Sequence, residues 1–199
     1  MRKTVTYYMT VVSPWTYLGH DRFVALCAKH GATIDQKPVD LGRIFPVSGG
    51  LPLKQRAPQR QAYRLVELQR WSRFLGKPIN IKPRFFPVNG DLAAYWILAA
   101  LDTGTPQALG LAGAVGRALW EQERDLADPA TMAAIAGECG LDTATLGARA
   151  REPEIAARYG ALTQEAIARG VFGAPTYVYQ DELFWGQDRL DFLGRKLAK

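Results

Sequence analysis

The sequence predicts an α/β fold with a β-α-β opening, a long helical block and a β-β-α close. Three observations carry that expectation. Residues 4–12 (TVTYYMTVV) are β-branched and aromatic, as strands are, and Ser13-Pro14 directly after them is a helix start, with serine as cap and proline at the first helical position. Residues 91–169 repeat helix-start and helix-stop signals with no strand-like run between them. Beyond them, TYVY and ELFW are two short β-rich runs on either side of a bend at Asp181, with Pro175 directly before the first.

In the first helix Gly19, Phe23, Leu26, Cys27 and His30 share one side, and Gly31 closes it. Thr33 to Val39 reads as a second strand. Residues 42–56 (GRIFPVSGGLPLKQR), rich in Gly and Pro, read as a loop. A helix from about 58 to 75 is ended by Gly76 and Pro78, and an extended piece, INIKPRFFPV, follows it. Asp91 is the expected cap of LAAYWILAAL, which is apolar all round and therefore buried. Thr105-Pro106 and Asp128-Pro129 start two more helices, and Gly140 ends the second. Shorter patterns at 142–150 and 154–169 complete the block, and an amphipathic helix follows Gly186. A proline before a strand, facing a strand–helix junction, suggests a thioredoxin-like sheet. The expected organisation is a discontinuous thioredoxin-like domain, 1–41 and 161–199, around an all-α insertion at 42–160.

With 48% hydrophobic and 22% charged residues, the 199 positions suit one soluble core with room for an inserted subdomain. No apolar run approaches a membrane span. The start MRKTVTYYMTVVSPW lacks an apolar h-region and a small-residue cleavage site, so no signal peptide is expected and the cytoplasm is the default location. The net charge of +6 raises nucleic acid as a partner, yet the basic residues are scattered and no cluster with interleaved aromatics stands out. A small anionic ligand suits the charge as well, and no nucleic-acid partner is expected. Cys27 and Cys139 form no CxxC and, with His20 and His30, no zinc pattern. Both read as reduced helix residues, and no metal is expected.

Dithiol oxidoreductases of this topology carry a CxxC at the start of the first helix, where the helix end lowers a thiol pKa. Here that place holds Ser13-Pro14-Trp15-Thr16. The chain cannot cycle a disulfide there, but a hydroxyl remains in a field that favours negative charge. A bound thiol near Ser13 would gain about 1–2 kcal/mol as thiolate, roughly one pKa unit. Taken alone, Ser13 reads as an ordinary helix cap that needs no ligand, and it is the proline turn at Ala174-Pro175 that favours the functional reading. A proline such as Pro175 is often cis, leaving the backbone of Ala174 free to pair with an extended ligand. Gly186-Gln187-Asp188 opens the final helix, where free N–H groups can hold a carboxylate and Asp188 an ammonium; Asp188 also reads as a plain first-turn acid.

These motifs resemble the 2-hydroxychromene-2-carboxylate isomerases, relatives of kappa-class glutathione transferases and of the DsbA-like group. The resemblance rests on SPWTYL (13–18), FFPVN (85–89), GVFGAPT (170–176) and LFWGQDRL (183–190), in the family's order over nearly the whole chain. It implies a thioredoxin-like domain with a helical insertion, a homodimer, and glutathione as cofactor. It implies that Ser13 contacts the glutathione sulfur and that Ala174, ahead of cis Pro175, pairs with the cysteinyl backbone. Gln187 and Asp188 would hold the γ-glutamyl end, Trp185 and Gly186 belong to the same cofactor-binding set, and Arg60 would lie near the glycyl carboxylate. Lys54, Arg84 and Asn89 are the candidates for contact with an anionic substrate. In the loop where relatives read Lys-Ala-Thr-Gly-Asn, this chain has Pro46-Val47-Ser48-Gly49-Gly50, so a cation and a polar side chain are replaced.

The implied reaction interconverts 2-hydroxychromene-2-carboxylate and trans-o-hydroxybenzylidenepyruvate. A thiolate adds to the conjugated system, a single bond rotates, and the thiol leaves. The alternatives are a kappa-type glutathione transferase or peroxidase, and a non-catalytic DsbA-like binding module.

Overall fold

The first strand, β1, ends earlier than residues 4–12 suggest. In the computed structural model, which describes residues 3–199, it spans Thr4–Met9, and residues 10–12 leave it in a turn closed by Ser13 N–H to the Thr10 carbonyl at 3.1 Å. The helix α1 (Pro14–Lys29) returns the chain to β2 (Thr33–Pro38), which pairs with β1 in parallel, Thr4 opposite Thr33. Far along the chain, β3 (Thr176–Tyr179) pairs antiparallel with the other edge of β1, Tyr7 opposite Tyr177. It then turns into β4 (Glu182–Trp185). Gln180 and Asp181 both have positive φ, 51° and 61°, the left-handed geometry of a two-residue hairpin turn that matches strand twist. The sheet order is β2-β1-β3-β4.

Between the two sheet halves come α2 (Leu41–Ser48), a 3-10 turn at Leu53–Gln55, α3 (Pro58–Leu75), α4 (Asp91–Leu101) and α5 (Thr105–Trp120). They are followed by α6 (Pro129–Glu138), α7 (Thr143–Arg149) and α8 (Pro153–Ala168). A second 3-10 turn, Gln187–Arg189, leads into α9 (Leu190–Leu197). Strand alternation splits the burial between two faces. Val5, Tyr7, Met9, Tyr177 and Tyr179 face a large core shared with α1, α4, α5 and α6. Tyr8 and Val178 face the opposite side, against Val39, Ile44, Ala166 and Val171. The α4 helix is buried on nearly all sides, as its uniformly apolar sequence requires.

Two local readings change. Residues 41–48 are helical although Pro and Gly crowd the segment. Asp40 caps the helix, accepting from Gly42 N–H at 2.7 Å, and Ile44 is fully buried in the second core. That tertiary burial outweighs a weak local propensity. At α4 the side chain that accepts the first N–H is Asn89, from Asp91 N–H at 2.7 Å, while Asp91 is itself the first helical residue. At α5 the cap position falls on Gly104, with Thr105 as the first helical residue and no side-chain cap, whereas the Asp128-Pro129 signal sits where the sequence places it. Asp128 accepts from Ala130 and Thr131 N–H, and Asp142 from Ala144 and Thr145 N–H.

The α8 helix runs unbroken through residue 160. Its first half, Ile155 and Tyr159, packs on Ala94 and Leu98 of α4. Its second half covers the sheet, with Ala166 against Tyr8 and with Glu165 accepting from Tyr8 Oη at 2.6 Å and from Lys37 Nζ at 2.7 Å.

Candidate active site

The turn after β1 delivers Ser13 to the mouth of α1. It is buried, with an extended backbone (φ −88°, ψ 122°), and its Oγ accepts from Thr16 N–H at 3.3 Å. The same hydroxyl donates to the Ala174 carbonyl at 3.0 Å. The Ala174–Pro175 peptide is cis, and Pro175 passes its carbonyl to Gly186 N–H at 2.9 Å. Ser13, Ala174, Pro175 and Gly186 are therefore linked by direct contacts at one end of the sheet. No acid lies in the first turn of α1, so the field of its N-terminus is not neutralised.

Trp185 borders this patch. Its Nε1 lies so close to Gly173 that a Cβ there would approach it to 2.5 Å, and its ring packs on Phe172 with centroids 4.7 Å apart. Both aromatics are exposed. Gly186 takes φ 97°, ψ 150°, a region open essentially to glycine, and a Cβ there would meet Asp188 Oδ1 at 2.5 Å. Gly186→Ala is expected to cost on the order of 1–3 kcal/mol and to displace the Asp188 carboxylate. Urea unfolding checks it; an unchanged midpoint would show that the turn relaxes freely.

The other expected residues separate. Gln187 is buried against Gly19 of α1, and its Oε1 accepts from Arg22 Nη1 at 2.6 Å, so its carbonyl end is already engaged. Asp188 stays partly exposed beside Arg189, at 2.5 Å. Arg60, Lys54, Arg84 and Asn89 are exposed: Arg60 on α3, Lys54 in the first 3-10 turn, Arg84 and Asn89 in the irregular stretch before α4. Arg84 lies over Phe85, at 5.2 Å, and the Asn89 side chain is used in capping α4.

Nothing nearby makes Ser13 a nucleophile. His20 is buried between Tyr7 Oη (3.3 Å) and the Leu109 carbonyl (3.0 Å), and burial holds its pKa below the ordinary value. No histidine is hydrogen-bonded to the Ser13 hydroxyl, which therefore acts as donor and cap. Sulfur from the chain is equally remote from this role. Cys27 sits in the core, where burial pushes its thiol up to about 12, and burial raises Cys139 as well. Among the described residues no cluster of His, Cys, Asp and Glu could hold a metal, and no helix is long and apolar enough to cross a membrane.

Two features escaped the sequence reading. One is the hydrogen bond from Ser13 to Ala174, which joins segments remote in sequence. The other is that Arg60, singled out there, has Arg56 and Arg64 four residues to either side, a spacing that was the available signal.

A family model for the DSBA-like thioredoxin domain matches residues 4–198. A 2-hydroxychromene-2-carboxylate isomerase of Sphingobium xenophagum is 29% identical, with 97% of each chain covered. The Pseudomonas putida protein of the same name is 30% identical, over 98% of this chain and 94% of its own. The solved structure of a 2-hydroxychromene-2-carboxylate isomerase superposes with a TM-score of 0.82 at 28% identity, covering 98% of this chain and 94% of that one. With the sheet order, the cis proline and matches running almost end to end, this chain belongs to the DSBA-like thioredoxin domain family, beside the 2-hydroxychromene-2-carboxylate isomerases.

Proposed function

We propose that the protein is a glutathione-dependent isomerase that interconverts 2-hydroxychromene-2-carboxylate and trans-o-hydroxybenzylidenepyruvate, or a related aromatic-degradation intermediate. Its relatives' names support an isomerase. The observation that carries the reading is the Ser13 hydroxyl at the mouth of α1, 3.0 Å from the Ala174 carbonyl, with both cysteines held elsewhere as thiols. The chemistry needs a sulfur that the chain does not supply there, and the patch suits a cysteinyl ligand. It offers a hydroxyl donor, a helix N-terminus free of acids and a peptide edge at Ala174.

Bound glutathione supplies a thiolate that adds reversibly to the conjugated double bond and so permits rotation. The protein's part is positional and electrostatic. The single proton of Ser13 is committed to the Ala174 carbonyl. An amide N–H from an extended ligand would satisfy that carbonyl and free the proton to stabilise negative charge at the helix mouth. Ser13 thus acts as a donor switched on by ligand binding. Asp188 and the N–H groups of Gln187 and Asp188 hold the γ-glutamyl end, beside Trp185 and Gly186, and Arg60 faces the glycyl carboxylate. Lys54, Arg84 and Asn89 belong to the substrate side. A homodimer and a cytoplasmic location are parts of the same reading.

The test is isomerisation of the chromene carboxylate with and without glutathione, with free thiol counted at the end. Equilibration that requires glutathione and leaves the thiol count unchanged is the expected result. Stoichiometric loss of thiol would make the protein a transferase instead. No turnover, with no thermal shift at millimolar glutathione, would leave a binding module.

A further inference from the structure

Among the described residues, the cations that sink into the surface of this protein are, with one excepted, matched to carboxylates or to carbonyl oxygens, as Lys3 is to the Leu197 carbonyl and Arg22 to Gln187 Oε1. Lys37 meets Glu165 at 2.7 Å, Lys77 meets Asp21 at 2.6 Å, Arg124 meets Glu138 at 2.9 Å and Arg149 meets Asp102 at 2.8 Å. The exception is Arg64 on α3. Its guanidinium is half-buried over the ring of Phe86, 5.4 Å from the centroid, and among the described residues it makes no hydrogen bond and no ion pair. Burial first, and then the like charge of Arg56, push its pKa down to about 10. Arg56 is half-buried too. It lies over Phe45 at 5.8 Å, donates its Nε to the Leu51 carbonyl at 2.8 Å, and is itself disfavoured by burial and by Arg60. A desolvated guanidinium beside like charges costs stability unless an anion joins it.

The location connects this group to the patch around Ser13. Phe86 packs on Trp120 with centroids 5.0 Å apart, and Trp120 Nε1 donates to the Val11 carbonyl at 3.1 Å, two residues before Ser13. Gly90, at the end of the same segment as Phe86, lies against Val12. A chain of contacts, Arg64 to Phe86 to Trp120 to Val11, therefore links α3 to the segment that leads into Ser13. A planar fork held over an aromatic ring is suited to a carboxylate carried by a flat conjugated system.

We propose that Arg64, with Arg56 behind it, is the anchor for the carboxylate of a planar aryl acid substrate. The assignment rests on the isomerase reading for the identity of that acid. It moves the substrate anion from Lys54 and Arg84, which are exposed, to a cation that is half-buried and unpaired. Glutathione also carries a carboxylate, so the test separates the two sources.

Binding of trans-cinnamate, an aryl acid used here as a non-turnover probe, is measured by calorimetry without glutathione, with cinnamyl alcohol as the uncharged control. Arg64→Gln is expected to weaken cinnamate about tenfold or more, Arg64→Lys less, and Arg70→Gln, on the solvent side of α3, not at all. Cinnamyl alcohol should not distinguish Arg64→Gln from the parent, and the melting temperature of Arg64→Gln should hold or rise. Equal cinnamate affinity in the parent and Arg64→Gln, or no cinnamate binding, overturns the proposal. So does a tenfold loss of glutathione affinity with cinnamate unaffected, which would give the anchor to the glycyl carboxylate. A fall in melting temperature would mark Arg64 as structural and also overturn it. Arg64-dependent cinnamate binding in a protein without isomerase activity would sustain the anchor and sink only the reaction.

Discussion

Ser13→Ala is expected to lower isomerase turnover at least about tenfold while the fold persists. The hydroxyl is the cap of α1 and the donor to Ala174, so its loss removes a cap worth about 1 kcal/mol. A domain stable by about 5–15 kcal/mol tolerates that. The kinetic effect is larger because the same group and the α1 N-terminus favour ionised over neutral sulfur. A free thiol with pKa about 8.5 is a few per cent ionised at neutral pH. Withdrawing roughly one pKa unit of stabilisation reduces the ionised fraction about tenfold. The check is threefold: turnover, the ultraviolet absorbance of bound thiolate against pH, and the melting temperature. Raising the pH should recover part of the lost rate, since ionisation then no longer depends on the hydroxyl. Full turnover in the variant would remove Ser13 from the mechanism.

Trp120→Ala should be the most damaging single change to stability. Trp120 is fully buried at the end of α5, its ring rests on Phe86, and its Nε1 is the partner of the Val11 carbonyl. Truncation opens a cavity costing about 3–5 kcal/mol and strands a carbonyl, for about 1–3 kcal/mol more. That approaches the whole stability of many domains. Trp120→Phe separates the two terms, because it keeps most of the volume and loses only the donor. Urea unfolding of both variants measures the split. If Ala and Phe cost the same, the hydrogen bond rather than the ring volume is what matters at this site.

Local chemistry made much of this molecule readable in advance. The cap and proline at 13–14, the apolar helix 91–101 and the aspartate cap at 128 each announce themselves within a few residues. The patch of Ser13, Ala174 and Pro175 was legible because both halves carry local signals, a cap on one side and a proline before a strand on the other. What stayed hidden depended on partners remote in sequence. The α2 helix forms because Ile44 is buried against Tyr8, Val171 and Val178, which no window around Pro46 can reveal. Gln187 reads as a free amide until Arg22 is seen bonded to it. The arginines at 56, 60 and 64 are visible as letters, but only the fold shows that no carboxylate faces Arg64.

The sheet also constrains how the protein can be made. β1 has a strand on each side, yet one neighbour comes from just beyond α1 and the other from residues 176–179. Ribosomes deliver the β1-α1-β2 unit long before β3 leaves the exit tunnel. Throughout that interval an apolar strand rich in tyrosine presents an unpaired backbone edge, the kind of template on which nascent chains stick to one another. Synthesis in a cell-free system without chaperones should therefore lose more product to aggregation than refolding of the finished polypeptide at equal concentration.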